Sequence, residues 1–241
     1  MNTKILILSL ISGLSTVVGC LIMFISKRYR NNVLSFSFGL SFSVMLLVSI
    51  FELIPESISY GIKFFSIPIL FSLSLILLMS GGGVVYILDK ISNKDNELYN
   101  VGWLCMLSVL IHNIPEGIIT AITLMTNFNF GLKMFLIILV HNIPEGISIS
   151  LPIYYSGHSK CKALLYSIIS GGGEVVGALV GILICKLFNL ELMLYILLIV
   201  VAGIMIYLSC RKLFIEGLKC NNDNLFIYGI LLGIIIVVLT I

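Results

Sequence analysis

The heptapeptide His-Asn-Ile-Pro-Glu-Gly-Ile occurs twice, at 112–118 and again at 141–147. On an α-helix, at about 100° per residue, His112, Asn113 and Glu116 fall within an arc of about 100°. His141, Asn142 and Glu145 do the same. An imidazole, an amide and a carboxylate on one face are ligands for a divalent cation. Neutral imidazole suits zinc and related late first-row ions, and carboxylate and amide oxygens suit harder ones. Two His, two Glu and two Asn make six candidate ligands, enough for two adjacent ions with a Glu bridging them. Glu174, in Ser-Gly-Gly-Gly-Glu at 170–174, is a further candidate at similar depth. Its alternative is pairing with a hydroxyl or amide on a neighbouring helix.

The segments around these residues are apolar. The 241 residues are 59% hydrophobic and 10% charged, with a mean hydropathy of +1.17. A soluble domain of this length carries roughly a quarter Asp, Glu, Lys and Arg, so most of this surface must face lipid. An ionised carboxylate inside a bilayer costs several kcal/mol unless partnered, so the acids must point inward. Pro115 and Pro144 lack an N–H. They leave the carbonyls of Ile111 and Val140 without intrahelical donors and predict bent helices. Broken helices at the midplane mark transport sites. The bland alternative is that His, Asn and Glu hydrogen-bond one another as interhelical glue, with the prolines as ordinary kinks. Duplication on two adjacent helices favours the metal reading.

A membrane helix needs about 20 mostly apolar residues. Such segments fall at 4–25, 33–56, 64–88, 102–125, 131–154, 163–185, 192–214 and 225–241, eight in all. An all-α integral membrane protein follows, a single polytopic transmembrane domain over 1–241. Kinked helices 4 and 5 are antiparallel neighbours enclosed by the others. The first segment exceeds a signal peptide's apolar run, lacks a cleavage site, and is followed at once by Lys27, Arg28 and Arg30, so a retained helix fits better. Connections 1–2, 3–4, 5–6 and 7–8 hold Lys27, Arg28, Arg30, Lys90, Lys94, Lys160, Lys162, Arg211, Lys212 and Lys219, ten in all; the opposite side holds Lys4, Lys63, Lys133 and Lys186, four. The Lys and Arg excess marks the cytoplasmic face, so both termini lie outside, and the setting is the cell membrane.

Other residues have weaker claims. Glu52 and Glu56, in Phe-Glu-Leu-Ile-Pro-Glu, lie toward the outer end of span two. Two readings stand: a funnel that draws cations in by its negative charge, or an interfacial helix end with snorkelling side chains. Gly117 and Gly146 permit close approach of a neighbouring helix, as does the ridge of Gly173, Gly177 and Gly181; Gly81, Gly82 and Gly83 read as packing. The cysteines (20, 105, 161, 185, 210, 220) form no Cys-x-x-Cys pair and read as small apolar packing. His158 reads as a solvated loop residue, and the polar 89–100 connection has no binding role. A net charge of +3 in scattered clusters is too small to suggest a nucleic-acid partner, and none is expected.

In these motifs the chain resembles the ZIP (zinc/iron-regulated transporter-like) family of divalent metal transporters, nearest its bacterial branch. The paired heptapeptides in spans four and five carry the resemblance, supported by Leu-Ile-Pro-Glu ending span two, Ser-Gly-x-x-Glu in span six, eight spans and both ends outside. The resemblance implies that His112, Glu116, His141 and Glu145 match one metal position. Asn113, Asn142 and Glu174, with the two glutamates bridging, match the other. It implies movement of Zn²⁺, and often Fe²⁺, Mn²⁺, Co²⁺ or Cd²⁺, toward the cytoplasm, metal as substrate with no cofactor, and packing as a homodimer. Two departures stand out. Many relatives carry His where this chain has Glu52, and the His-rich cytoplasmic tract common among them is missing.

The competing class is an intramembrane metalloenzyme of di-iron type. Such sites favour Glu-x-x-His, whereas the order here is His-x-x-x-Glu, and no His-Glu-x-x-His zinc-protease motif occurs. A structural scaffold would leave the buried acids unexplained. The expectation is a transporter, not an enzyme.

Overall fold

The structure, a computed structural model, describes residues 2–24, 30–91, 96–184 and 190–240. Helices there are α1 (Asn2–Gly19), running into a 3₁₀ turn at Cys20–Phe24; α2 (Arg30–Val48) and α3 (Ile54–Gly61), joined by a π turn at Ser49–Leu53; α4 (Ile67–Ile91); α5 (Glu97–Thr126); α6 (Phe128–Tyr155); α7 (Lys160–Ile184); α8 (Leu190–Leu208) and α9 (Phe214–Lys219), joined by a π turn at Ser209–Leu213; and α10 (Asp223–Thr240). Taking the two π-joined pairs as single rods gives eight. Seven are long and apolar enough to cross a membrane, and the last is a shorter apolar helix. No strand occurs among the described residues. Lys27, Arg28, Lys94, Cys185 and Lys186 lie outside them.

Boundaries moved outward from the sequence expectation. The polar connection predicted over 89–100 is largely helix: α4 runs to Ile91 and α5 starts at Glu97. Asn96 takes the N-cap, accepting from the Tyr99 N–H at 3.1 Å, and Glu97 complements the helix dipole. Polar side chains at these ends satisfy the first turn and so extend the helix past the apolar stretch.

Packing ranks the helices. Of the most apolar stretch of each, 72% is buried for α5 and for α6, the highest of the seven, against 11% for α4. α5 packs on α7, α6, α1 and α8; α6 packs on α5, α1, α2 and α7; α2 pairs with α10, and α4 with α8. The outward faces are apolar, with Ile67, Phe71, Leu183 and Leu239 among the most exposed side chains. The predicted glycine contacts hold. A Cβ on Gly117 would overlap the Glu174 carbonyl, one on Gly177 the Ile114 carbonyl, and one on Gly146 the Thr16 carbonyl. In the α4 triplet only Gly81 is pressed, against the Val200 carbonyl; Gly83 meets nothing.

Many buried hydroxyls are returned to the helix that bears them. Ser49 Oγ donates to Met45 O at 2.7 Å, Ser148 Oγ to Glu145 O at 2.7 Å, and Ser209 Oγ to Met205 O at 2.6 Å. In an apolar interior each hydroxyl needs a partner, and the carbonyl one turn back is the nearest. Apart from the exposed Lys63–Glu191 pair at 2.5 Å, the lysine ion pairs cluster at one end of the molecule: Lys212 to Asp89 at 2.6 Å, and Lys219 to Glu216 at 2.7 Å and Glu97 at 3.1 Å. They line a cavity of about 310 Å³. Cys20 and Cys105 are buried, as expected, and Cys161 and Cys210 are exposed.

Candidate metal centre

α5 and α6 bring both heptapeptides together. Pro115 and Pro144 lie inside helices that continue past them. Glu116 sits between the two imidazoles: its Oε1 is 2.7 Å from His141 Nε2 and 2.8 Å from His112 Nε2. The His141 contact is aligned as a hydrogen bond; the His112 contact is close but off the hydrogen-bond line. Glu145 Oε1 lies 3.4 Å from His112 Nε2. One ligand atom each from His112, His141 and Glu145 lie within 4.8 Å of one another. These three side chains form a group that could hold a metal ion.

The balance of donors and acceptors has the chemistry of a cation site. The His, Asn and Glu side chains of both heptapeptides, six in all, are buried, His141 the most exposed of them at 5%. Yet Glu116 Oε2 and both Glu145 carboxylate oxygens have no hydrogen-bond donor, and neither imidazole Nδ1 has a partner. Buried carboxylates without donors are costly unless a positive charge faces them. Acceptors outnumber donors here, which is the reverse of interhelical glue.

α7 supplies the third wall. Asn142 Nδ2 donates to Glu174 Oε1, and Asn113 Nδ2 donates to the Ser170 carbonyl at 3.0 Å. Asn113 Oδ1, Asn142 Oδ1 and Glu174 Oε2 are left without donors. Glu174 is fully buried and pairs with an amide on a neighbouring helix, as the alternative reading of it expects. α1 contributes what sequence reading missed. Asn142 Nδ2 also donates to the Ser12 carbonyl at 3.1 Å. A signal existed: Ile-Ser-Gly at 11–13 recurs at 169–171.

Glu52 and Glu56 line a cavity of about 20 Å³ together with Glu116, His141, Met134 and Ile138. Glu52 Oε2 is buried with no partner, so the first of these acids turns inward toward the centre. His158, expected as a solvated loop residue, stacks on Tyr99 with ring centroids 4.4 Å apart. Partial burial and the Lys162 ammonium hold its imidazole below the usual range.

Comparison with known proteins meets this geometry. A family model described as "ZIP Zinc transporter" matches residues 90–240. The chain is 32% identical to "Zinc transporter ZupT" of Clostridium perfringens over 95% of its own length and 92% of that protein's. It is 34% identical to the protein of the same name from Oceanobacillus iheyensis, over 94% and 92%, and 33% identical to that of Streptococcus mutans, over 95% and 93%. A buried His/Glu cluster in an all-helical apolar chain, with kinship along nearly all of its length, places the chain in the ZIP family of metal transporters.

Proposed function

We propose that the chain carries divalent metal ions, Zn²⁺ foremost and Fe²⁺, Mn²⁺, Co²⁺ and Cd²⁺ as further candidates, across the cell membrane into the cytoplasm. It is a multi-pass membrane transporter and not an enzyme. The route passes a binuclear site at the midplane. His112, Glu116, His141 and Glu145 hold one ion; Asn113, Asn142 and Glu174 hold the other, with the two heptapeptide glutamates bridging. The observation that carries this reading is the Glu116 carboxylate seated between both imidazoles among acceptors that lack donors. Metal is substrate here, and the mix of His, carboxylate and amide suits an ion that must be released, unlike a closed thiolate cage.

The same reading takes 1–241 as one transport domain, with both termini outside and the proline-bearing helices enclosed by the rest. The deep burial of α5 and α6 supports the last point. Glu52 and Glu56 form the outer mouth, supported by the cavity they share with Glu116 and His141. Two copies pair in the membrane, as the family resemblance implies. Flux into proteoliposomes tests the proposal, with Zn²⁺, Fe²⁺, Mn²⁺ and Cd²⁺ offered in turn to wild type, Glu116→Ala and Glu145→Ala. Wild type is expected to move Zn²⁺, and each variant to lose at least tenfold in rate. Undiminished flux in both variants removes the proposed role of those carboxylates.

A further inference from the structure

An amide side chain has one ligating oxygen and one repelling NH₂ group, so half a turn converts a metal ligand into its opposite. Asn113 and Asn142 therefore need something to set which way they face, and the structure supplies the same device for each. Asn113 Nδ2 donates to the carbonyl of Ser170, at 3.0 Å, and Asn142 Nδ2 to the carbonyl of Ser12, at 3.1 Å. Both Asn side chains are fully buried, and both Oδ1 atoms lack a donor. Asn142 Nδ2 also donates to Glu174 Oε1 and, at 3.4 Å, faces Ser12 Oγ. The two accepting carbonyls belong to the two Ile-Ser-Gly tripeptides, one in α1 and one in α7. These tripeptides cross each other: a Cβ on Gly13 would overlap the Gly171 carbonyl, and a Cβ on Gly171 would overlap that of Gly13.

Resting on the two-ion reading above, we propose that the Gly13–Gly171 crossing aims the Asn113 and Asn142 oxygens at the second cation. Backbone contact at the two glycines sets α1 and α7 at the separation where the Ser12 and Ser170 carbonyls capture the amide nitrogens. Gly13 and Gly171 are positioning residues, acting through those carbonyls and touching no ion. A methyl at either one parts the helices, and the freed amides turn N–H toward the metal.

The test uses purified full-length protein and counts Zn²⁺ and Cd²⁺ per chain by calorimetry and elemental analysis. The second ion is defined as the one lost in Glu174→Gln. Wild type binds two. Gly13→Ala and Gly171→Ala are expected to weaken the second ion at least tenfold and leave the first unchanged. Gly81→Ala, which overlaps the Val200 carbonyl where α4 crosses α8, keeps both. A carboxylate ligates in either orientation, so in an Asn113→Asp, Asn142→Asp background the α1/α7 glycine substitutions are expected to change the second Kd less than twofold. A second Kd within twofold of wild type in Gly13→Ala and Gly171→Ala overturns the proposal. So does failure of the Asp background to suppress the effect, and so does loss of folding in both glycine variants with and without that background, because the crossing is then purely architectural. One ion per chain in wild type sinks the two-ion reading itself.

Discussion

Glu116 is the side chain on which the two helices converge, because it alone lies within 2.8 Å of both imidazoles. Its neighbours Glu145 and Glu174 are buried and incompletely partnered, and under the proposed two-ion reading all three carboxylates choose between a metal ion and a proton. Protons compete for His and carboxylate ligands. Zn²⁺ uptake into proteoliposomes is therefore expected to fall as external pH is lowered from 7.5 to 5.5 at constant free metal. Uptake that climbs over that range would contradict direct ligation by these groups. The Asn residues contribute no titration of their own, and their demand is for orientation.

The two π turns fall where the chain carries charge. In span two the π turn Ser49–Leu53 holds Glu52 and ends two residues before Pro55, whose ring crowds the carbonyl of Phe51. In span seven the π turn Ser209–Leu213 holds Arg211 and Lys212. Both turns open with a buried serine bonded to the carbonyl of a methionine four residues back. With the shared Ile-Ser-Gly of α1 and α7, this relates spans one and two to spans six and seven. Elsewhere the helices meet through glycine, and that contact is a stability term. A residue larger than glycine at Gly81 must part α4 from α8, at a cost of about 1–3 kcal/mol. Gly81→Leu is expected to lower the melting temperature of the purified protein, whereas Gly83→Leu, at a position with nothing within 4 Å, leaves it unchanged. Equal losses for the two would show that the crossing geometry is not what limits stability.

The molecule as a whole shows an apolar belt outside and a polar cluster inside, with the ion pairs of Asp89, Glu97, Lys212, Glu216 and Lys219 gathered at one end. That end holds the basic connections which the charge count assigns to the cytoplasm. Cys161, exposed at the start of α7, belongs to it. In a variant keeping only this cysteine, a membrane-impermeant maleimide is expected to react in permeabilised cells and not in intact ones. Labelling of intact cells would invert the proposed orientation.

Sequence alone determined the eight apolar rods, since hydropathy over twenty residues leaves no other solvent than lipid, and it singled out the side chains of the cluster, since a duplicated His-Asn-x-x-Glu puts an imidazole, an amide and a carboxylate on one face of each helix. It also foresaw the close approach at Gly117, Gly146 and Gly177, because a helix face of small residues invites a neighbour's backbone, but not the Gly13–Gly171 crossing, nor that Gly83 stands clear. Tertiary structure decided the rest. That Glu116 contacts both imidazoles, that Glu52 turns inward while His158 lies against Tyr99, and that Ser12 and Ser170 hold the asparagine amides are facts of helix rotation and crossing distance. Local sequence does not set those quantities. They emerge when all the helices settle into mutual contact, where a single Cβ at Gly13 or Gly171 is enough to change them.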